Sequence, residues 1–245
     1  MNKKTLTFGA LILLALFATS CAKLQARDNL NKGVRAFKAT KYEQAIDYFQ
    51  QAMKLDPDLT NAELYLATAY SQQFVPNSES PENLKNAEMA IKTFESVLQK
   101  DPKNLSAVSG IASVYQNSNK WDKARDYYKI QTQLDPGNPT PFYAIGSVDW
   151  RLIANKSNPL PEDEQEKLAE EGLGGLDTAL KINPDYEEAM AYKNLLYREK
   201  ARLAPDKDEK SKYLAMADEW FNKTLDTRRK AAEKTKVNGV HLDTK

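Results

Sequence analysis

The sequence predicts an all-α protein, a superhelical solenoid of about five helix-turn-helix repeats. Three observations predict it. Four segments close alike, Leu55-Asp56-Pro57, Lys100-Asp101-Pro102, Leu134-Asp135-Pro136 and Ile182-Asn183-Pro184. Twelve residues before each proline stands a small residue (Ala45, Ala90, Ala124, Gly172), and eight before it a bulky one (Phe49, Phe94, Tyr128, Leu176). The 245 residues hold only 9 glycines and many Ala, Leu, Lys, Gln and Glu, a composition that favours helix over sheet.

The chain opens on an address. Lys3 and Lys4 form a basic start, and Leu6 to Phe17 is an apolar run of twelve residues. A membrane-spanning helix needs about 18 or more, so residues 1–20 read as a signal peptide. Ala18-Thr19-Ser20 then leads into Cys21, the single cysteine. This resembles the lipobox of bacterial lipoproteins, with Ala18 where the family usually has leucine. The resemblance implies cleavage before Cys21 and acylation of its thiol and amine. A plain secretory leader cut after Ser20 or Ala22 is the alternative. Two or three acyl chains make a stable anchor where one binds only marginally. Residues 21–27 form the lipidated start and a short spacer. Ala22 rather than Asp follows the cysteine, which by the same resemblance points to the outer membrane, facing the periplasm. Loss of Lys3 and Lys4 with the leader takes the formal charge from +1 to −1.

The array spans residues 26–231, with units at about 26–59, 60–104, 105–138, 139–186 and 187–231. Each second helix carries apolar residues three and four apart, as in Ala45, Phe49 and Ala52. Small residues in the first helices, Gly33, Ala67, Ala112 and Gly146, allow close approach of the paired helix. Tyr42 and Trp121 open second helices. One pair cannot bury its apolar faces, so neighbours must stack. Asp or Asn before each proline is pushed out of helical geometry and turns the chain. The fifth unit keeps Ala217 and Phe221 but has Arg229 at the proline position. Its long last helix, about 206–233, reads as a solvating cap, and residues 235–245 as a flexible tail. His241 lies in that tail.

The A-x₃-F…P spacing resembles that of the tetratricopeptide repeat (TPR). Asp149, Asn194 and Gln131 depart from its pattern. The resemblance implies a concave surface lined by first helices. Facing it would be Asn61, Tyr65, Thr68 and Gln72, then Ser109, Ser113 and Asn117, then Tyr143, Ser147 and Arg151. Such hydrogen-bonding and aromatic groups suit an extended peptide; as a bland alternative, they only solvate a groove. Chaperone-binding relatives use a cationic clamp for a terminal carboxylate. Here Leu30 and Val34 stand where its lysine and asparagine would, which disfavours acidic chaperone tails.

Three proline-bearing insertions, near 75–86, 155–168 and 203–212, separate first from second helices. They suggest a second recognition surface on one rim, or tolerated surface loops. The acids from Glu162 to Glu171 suggest either a divalent-ion site or a helix start, which attracts acids to its exposed amides. Gly172-Leu173-Gly174-Gly175 is too short for a phosphate cradle and reads as close helix packing. On one helix, Lys23, Arg27, Arg35 and Lys38 fall within an arc of about 120° at about 100° per residue. Tied a few residues from the anchor, they could meet lipid phosphates or simply face solvent.

Thirty-five basic against 34 acidic residues leave +1, without the excess of a nucleic-acid binder. One cysteine and one histidine leave little for metal sites or His-centred catalysis, and no nucleotide-binding, HExxH or nucleophile-elbow motif occurs. The expected protein is therefore not an enzyme and has no cofactor beyond the lipid on Cys21. It is an anchored adaptor or scaffold for other envelope proteins or extended peptide segments. Its resemblance offers pilotin-like lipoproteins of pilus or secretion secretins, the repeat lipoprotein of β-barrel assembly, and adaptors of peptidoglycan hydrolases. The alternative class is a peptidoglycan- or carbohydrate-binding module using Tyr65, Tyr143 and Trp150. Its oligomeric state is left open.

Overall fold

At each of the four turn signals the residue before proline leaves the helix: Asp56, Asp101, Asp135 and Asn183 have φ between −142° and −126° and ψ between 74° and 95°. Proline Cδ disfavours helical geometry in its predecessor, so the chain extends there. Each of the four still donates its own N–H to the carbonyl four residues back, closing the helix it ends. These punctuation marks set the architecture. In the computed structural model, which describes residues 3–240 and the side chains of 21–234, the chain is ten α-helices; among the described residues there is no strand. It divides between Asn119 and Lys120 into two compact units.

Unit 1 holds α1 (Lys3–Lys38), α2 (Tyr42–Leu55), α3 (Thr60–Gln73), α4 (Pro81–Lys100) and α5 (Leu105–Asn117). Ala45, Phe49, Ala52, Ala67, Ala90, Val97, Ile111 and Ala112 have no solvent exposure and form its core. The small first-helix residues earn their place by contact. A Cβ on Gly33 would sit 2.4 Å from the Phe49 ring, and one on Gly110 only 2.3 Å from that of Phe94. The α3–α4 connection is short and held. Asn83 is buried, its side chain accepting from the Val75 N–H (2.7 Å) and donating to the Val75 and Ser78 carbonyls. Ser80 caps α4 by accepting from the Asn83 N–H, with Pro81 in the first turn. The second half of the insertion near 75–86 thus lengthens α4 to 20 residues.

Unit 2 holds α6 (Trp121–Leu134), α7 (Pro139–Ile153), α8 (Glu162–Ile182), α9 (Glu187–Leu203) and α10 (Lys207–Val240). Val148, Leu152, Leu168, Ala169, Leu176 and Leu196 pack at its centre. Gly146 lies against Leu176, and Gly172 against Leu196 and Asp149, while Gly174 faces open space. The helix α8 starts at Glu162 with three acids in its first turn, where they complement the exposed amides. Among the described residues no group of three or more His, Cys, Asp or Glu comes together to hold a metal ion.

One boundary differs from expectation. The last helix runs to Val240, so six residues of the stretch read as a flexible tail, 235–240, are helical. Each residue added to an existing helix gains a backbone hydrogen bond without a new nucleation cost, so weak periodicity does not stop it. His241 lies outside the described residues. The leader's side chains do too, although its backbone is continuous with α1 from Lys3 onward. Among the described residues no helix is long and apolar enough to cross a membrane.

Candidate functional site

In α7, Tyr143, Ser147, Trp150 and Arg151 recur at spacings of three, four and seven and so share one face. The adjoining side, Ala144, Val148 and Leu152, is buried. Tyr186, at the N-cap of α9, and Tyr192, in its first half, complete that face. Tyr143 lies 5.0 Å from Tyr186 and 5.6 Å from Tyr192, measured between ring centroids. Trp150 lies 5.7 Å from the same Tyr192, edge to face. Tyr192 is thus a bridge between two rings one heptad apart on α7. All four rings are half-buried, so each pairs an apolar body with an accessible portion. Burial raises the Tyr143 phenol to about 12, helped by Tyr192 and Tyr186. It therefore remains a hydrogen-bond donor across physiological pH. Arg151 is exposed, and its guanidinium lies 4.8 Å over the Trp121 ring of α6. Ser147 spends its hydroxyl on the Ala144 carbonyl (2.9 Å).

Unit 1 carries the rest of the expected set. On α3, Asn61, Tyr65, Thr68 and Gln72 fall on one face, and on α5, Ser109, Ser113 and Asn117 do the same. These two helices touch one another. Asn61, Gln72, Ser113 and Asn117 are exposed, and Tyr65 is 40% exposed with its ring stacked 5.6 Å from Phe49. Thr68 is half-buried and donates to the Leu64 carbonyl (2.8 Å). The face is a polar one with a single aromatic, whereas that of unit 2 is an aromatic cluster with a single cation at its edge.

Residues 26–59 and 107–140 match the tetratricopeptide repeat family. The chain carries tetratricopeptide repeats. Solved TPR structures share its fold over most of its length. A MamA structure superposes with a TM-score of 0.63 at 15% identity, over 85% of this chain and 94% of that one. MamA from Desulfovibrio magneticus RS-1 gives 0.60 at 16%, over 84% and 96%. YrrB, a TPR protein with an unusual peptide-binding site, gives 0.59 at 14%, over 82% and 85%. By sequence the protein is also similar to sperm-associated antigen 1 of Rattus norvegicus (24% over 152 residues) and of Mus musculus (26% over 131). Those matches cover 59% and 54% of this TPR protein but only 16% and 13% of the relatives' lengths.

Two groups lay outside the expected site. Nothing in the spacing of α9 singles out Tyr192; only its contact with α7 does. The second is a buried ionic cluster behind the face. Asp149 on α7 has no exposure and accepts from Arg125 of α6, whose guanidinium also donates to Glu171 of α8. Lys129 of α6 donates to the same Glu171 at 3.1 Å. Burial raises Asp149 to about 6 against the pull of Arg125. Glu171, half-buried, is held below its ordinary value by the Arg125 hydrogen bond. Burial disfavours the Arg125 charge, but Asp149 and Glu171 overcome that and raise its pKa. The sequence did signal this cluster: an acid where the repeat pattern has none requires a partner if it is buried.

The basic residues expected near the anchor, Lys23, Arg27, Arg35 and Lys38, are all exposed on α1, as is Cys21.

Proposed function

We propose that the protein is a non-catalytic adaptor that binds an extended peptide segment of a partner along the α7–α9 face. The observation that carries this reading is the Tyr143–Tyr192–Trp150 relay, with a phenol donor at one end and Arg151 at the other. An extended chain offers side chains at about 3.3 Å per residue and backbone carbonyls between them, which such a strip of half-open rings and donors can follow. The fold supports the same class of function, since stacked repeats present long surfaces for protein partners. Peptide binding by the structurally similar YrrB is consistent with it. Within unit 1 the polar α3–α5 face, with Asn61, Gln72 and Asn117, offers hydrogen-bonding groups of its own to a peptide backbone.

The finer reading is an envelope lipoprotein held by acyl chains on Cys21, at the outer membrane and facing the periplasm. There it gathers components of an envelope machine, with pilotin-like service to a secretin as the leading version. The leader's short apolar run and the placement of the single cysteine support the anchor.

A photo-reactive amino acid in place of Ser147 tests the site in cells, with one at exposed Lys181 of α8 as the off-site control. The expected result is a discrete crosslinked segment at position 147, identified by mass spectrometry and lost in Tyr192→Ala. Equal labelling at both positions would overturn the peptide site. Recovery of glycan strands at position 147 would replace it with the envelope-polymer reading.

A further inference from the structure

One side of α1 packs inward through Ala26, Gly33 and Ala36, all buried. The side opposite carries Lys23, Leu24, Arg27, Asn31, Arg35 and Lys38, every one exposed. At about 100° per residue these six span an arc of about 120° centred away from the packed side. Among the described residues none of the four cations forms an ion pair. The acid beside them, Asp28, is engaged by Lys32 at 2.7 Å. Leu24, 71% exposed, is the most exposed large apolar side chain of the described residues and sits within the stripe. The stripe is thus cationic along its length with an apolar contact at its leader end.

We infer that α1 lies flat against an anionic phospholipid surface, so that unit 1 rests side-on at the membrane. The inference rests on the anchored reading of Cys21. Charge complementarity and chain connectivity choose this occupant: the stripe begins two residues after the anchored Cys21 on the same continuous helix. Orientation follows from length. Helical rise is about 1.5 Å per residue, which places Arg27 about 9 Å and Lys38 about 25 Å from Cys21 along the axis. Surface potential decays within a Debye length of about 8–10 Å. An upright helix would leave Arg35 and Lys38 beyond its reach, whereas a flat one brings all four cations and Leu24 to the headgroups together.

The test uses the mature chain, residues 21–245, with Cys21→Ser and a dye at Asn31→Cys, on phosphatidylcholine vesicles with or without phosphatidylglycerol, each carrying a headgroup quencher. Asn31 would stand about 15 Å off the surface on an upright helix and touch it on a flat one. The expected result is quenching on phosphatidylglycerol vesicles alone, reduced by high salt. Arg27→Glu with Lys38→Glu should weaken partition onto those vesicles by about tenfold or more. Equal quenching on both vesicle types, or quenching indifferent to charge reversal, overturns the inference. The wild type separates the readings: acyl chains found on Cys21 by mass spectrometry, without quenching of the Cys21→Ser chain, reject the flat pose and leave the anchor standing, while an unacylated Cys21 rejects the anchored reading on which the pose rests.

Discussion

Arg125 and Asp149 tie α6 to α7 through two hydrogen bonds to a carboxylate with no solvent exposure, and the same guanidinium reaches Glu171 on α8. One cation therefore links three consecutive helices behind the aromatic face. Ion pairs at this depth stabilise little relative to apolar replacements, but breaking one leaves an uncompensated buried charge. Arg125→Met should cost about 3–5 kcal/mol in urea denaturation. Arg125→Met with Asp149→Leu should recover most of that. If the single variant lost under about 1 kcal/mol, Asp149 would have to find another partner or proton.

The same carboxylate gives stability a pH dependence of unusual sign. Its folded value of about 6 lies above the ordinary 3.8, raised first by burial. A group raised on folding contributes in full below its unfolded value and loses that contribution as pH rises through the folded one. Asp149 should therefore weaken the fold between about pH 4 and pH 7, by about 3 kcal/mol at most. Glu171, lowered by Arg125, works in the opposite sense, its contribution fading as pH falls. Urea midpoints across this window should fall with pH in the wild type and flatten in Asp149→Asn.

Glycine at two helical positions has opposite meaning. At Gly110 a methyl group would meet the Phe94 ring at 2.3–2.7 Å. The overpacking cost of about 1–3 kcal/mol exceeds the roughly 1 kcal/mol that alanine gains in helix propensity. Gly110→Ala should destabilise, and Phe94→Leu in the same chain should relieve it. At Gly174 nothing lies within 4 Å. Gly174→Ala should stabilise by about 0.5–1 kcal/mol, read as a higher thermal midpoint.

The turn between α1 and α2 carries removable strain. Thr40 adopts φ 58°, as does Asn119 (φ 56°) two residues before the aromatic that opens α6. Asparagine tolerates this left-handed geometry, but a β-branched residue does not. Thr40→Asn should raise stability by about 0.5–1 kcal/mol, measured by thermal denaturation. An unchanged midpoint would mean that the Thr40 hydroxyl bond to the Ala39 carbonyl compensates.

Sequence alone determined the helical class, the repeat ruler and the close-packing residues. Those are local properties: a proline unwinds its predecessor, and a small residue at a fixed distance from an aromatic admits one helix to another. Gly33 with Phe49 and Gly146 with Leu176 were legible for that reason. The residues named on α3, α5 and α7 came from resemblance to the repeat family, and helical period puts each set on one side of its helix. Tertiary structure decided what completes each face. Tyr192 enters beside Tyr143 and Trp150 only through the packing of α9 on α7, a contact between residues 49 and 42 positions apart with no period in common. Asp149 was visible as a misfit, but its partners on α6 and α8 are chosen by proximity in space, where burial makes pairing obligatory.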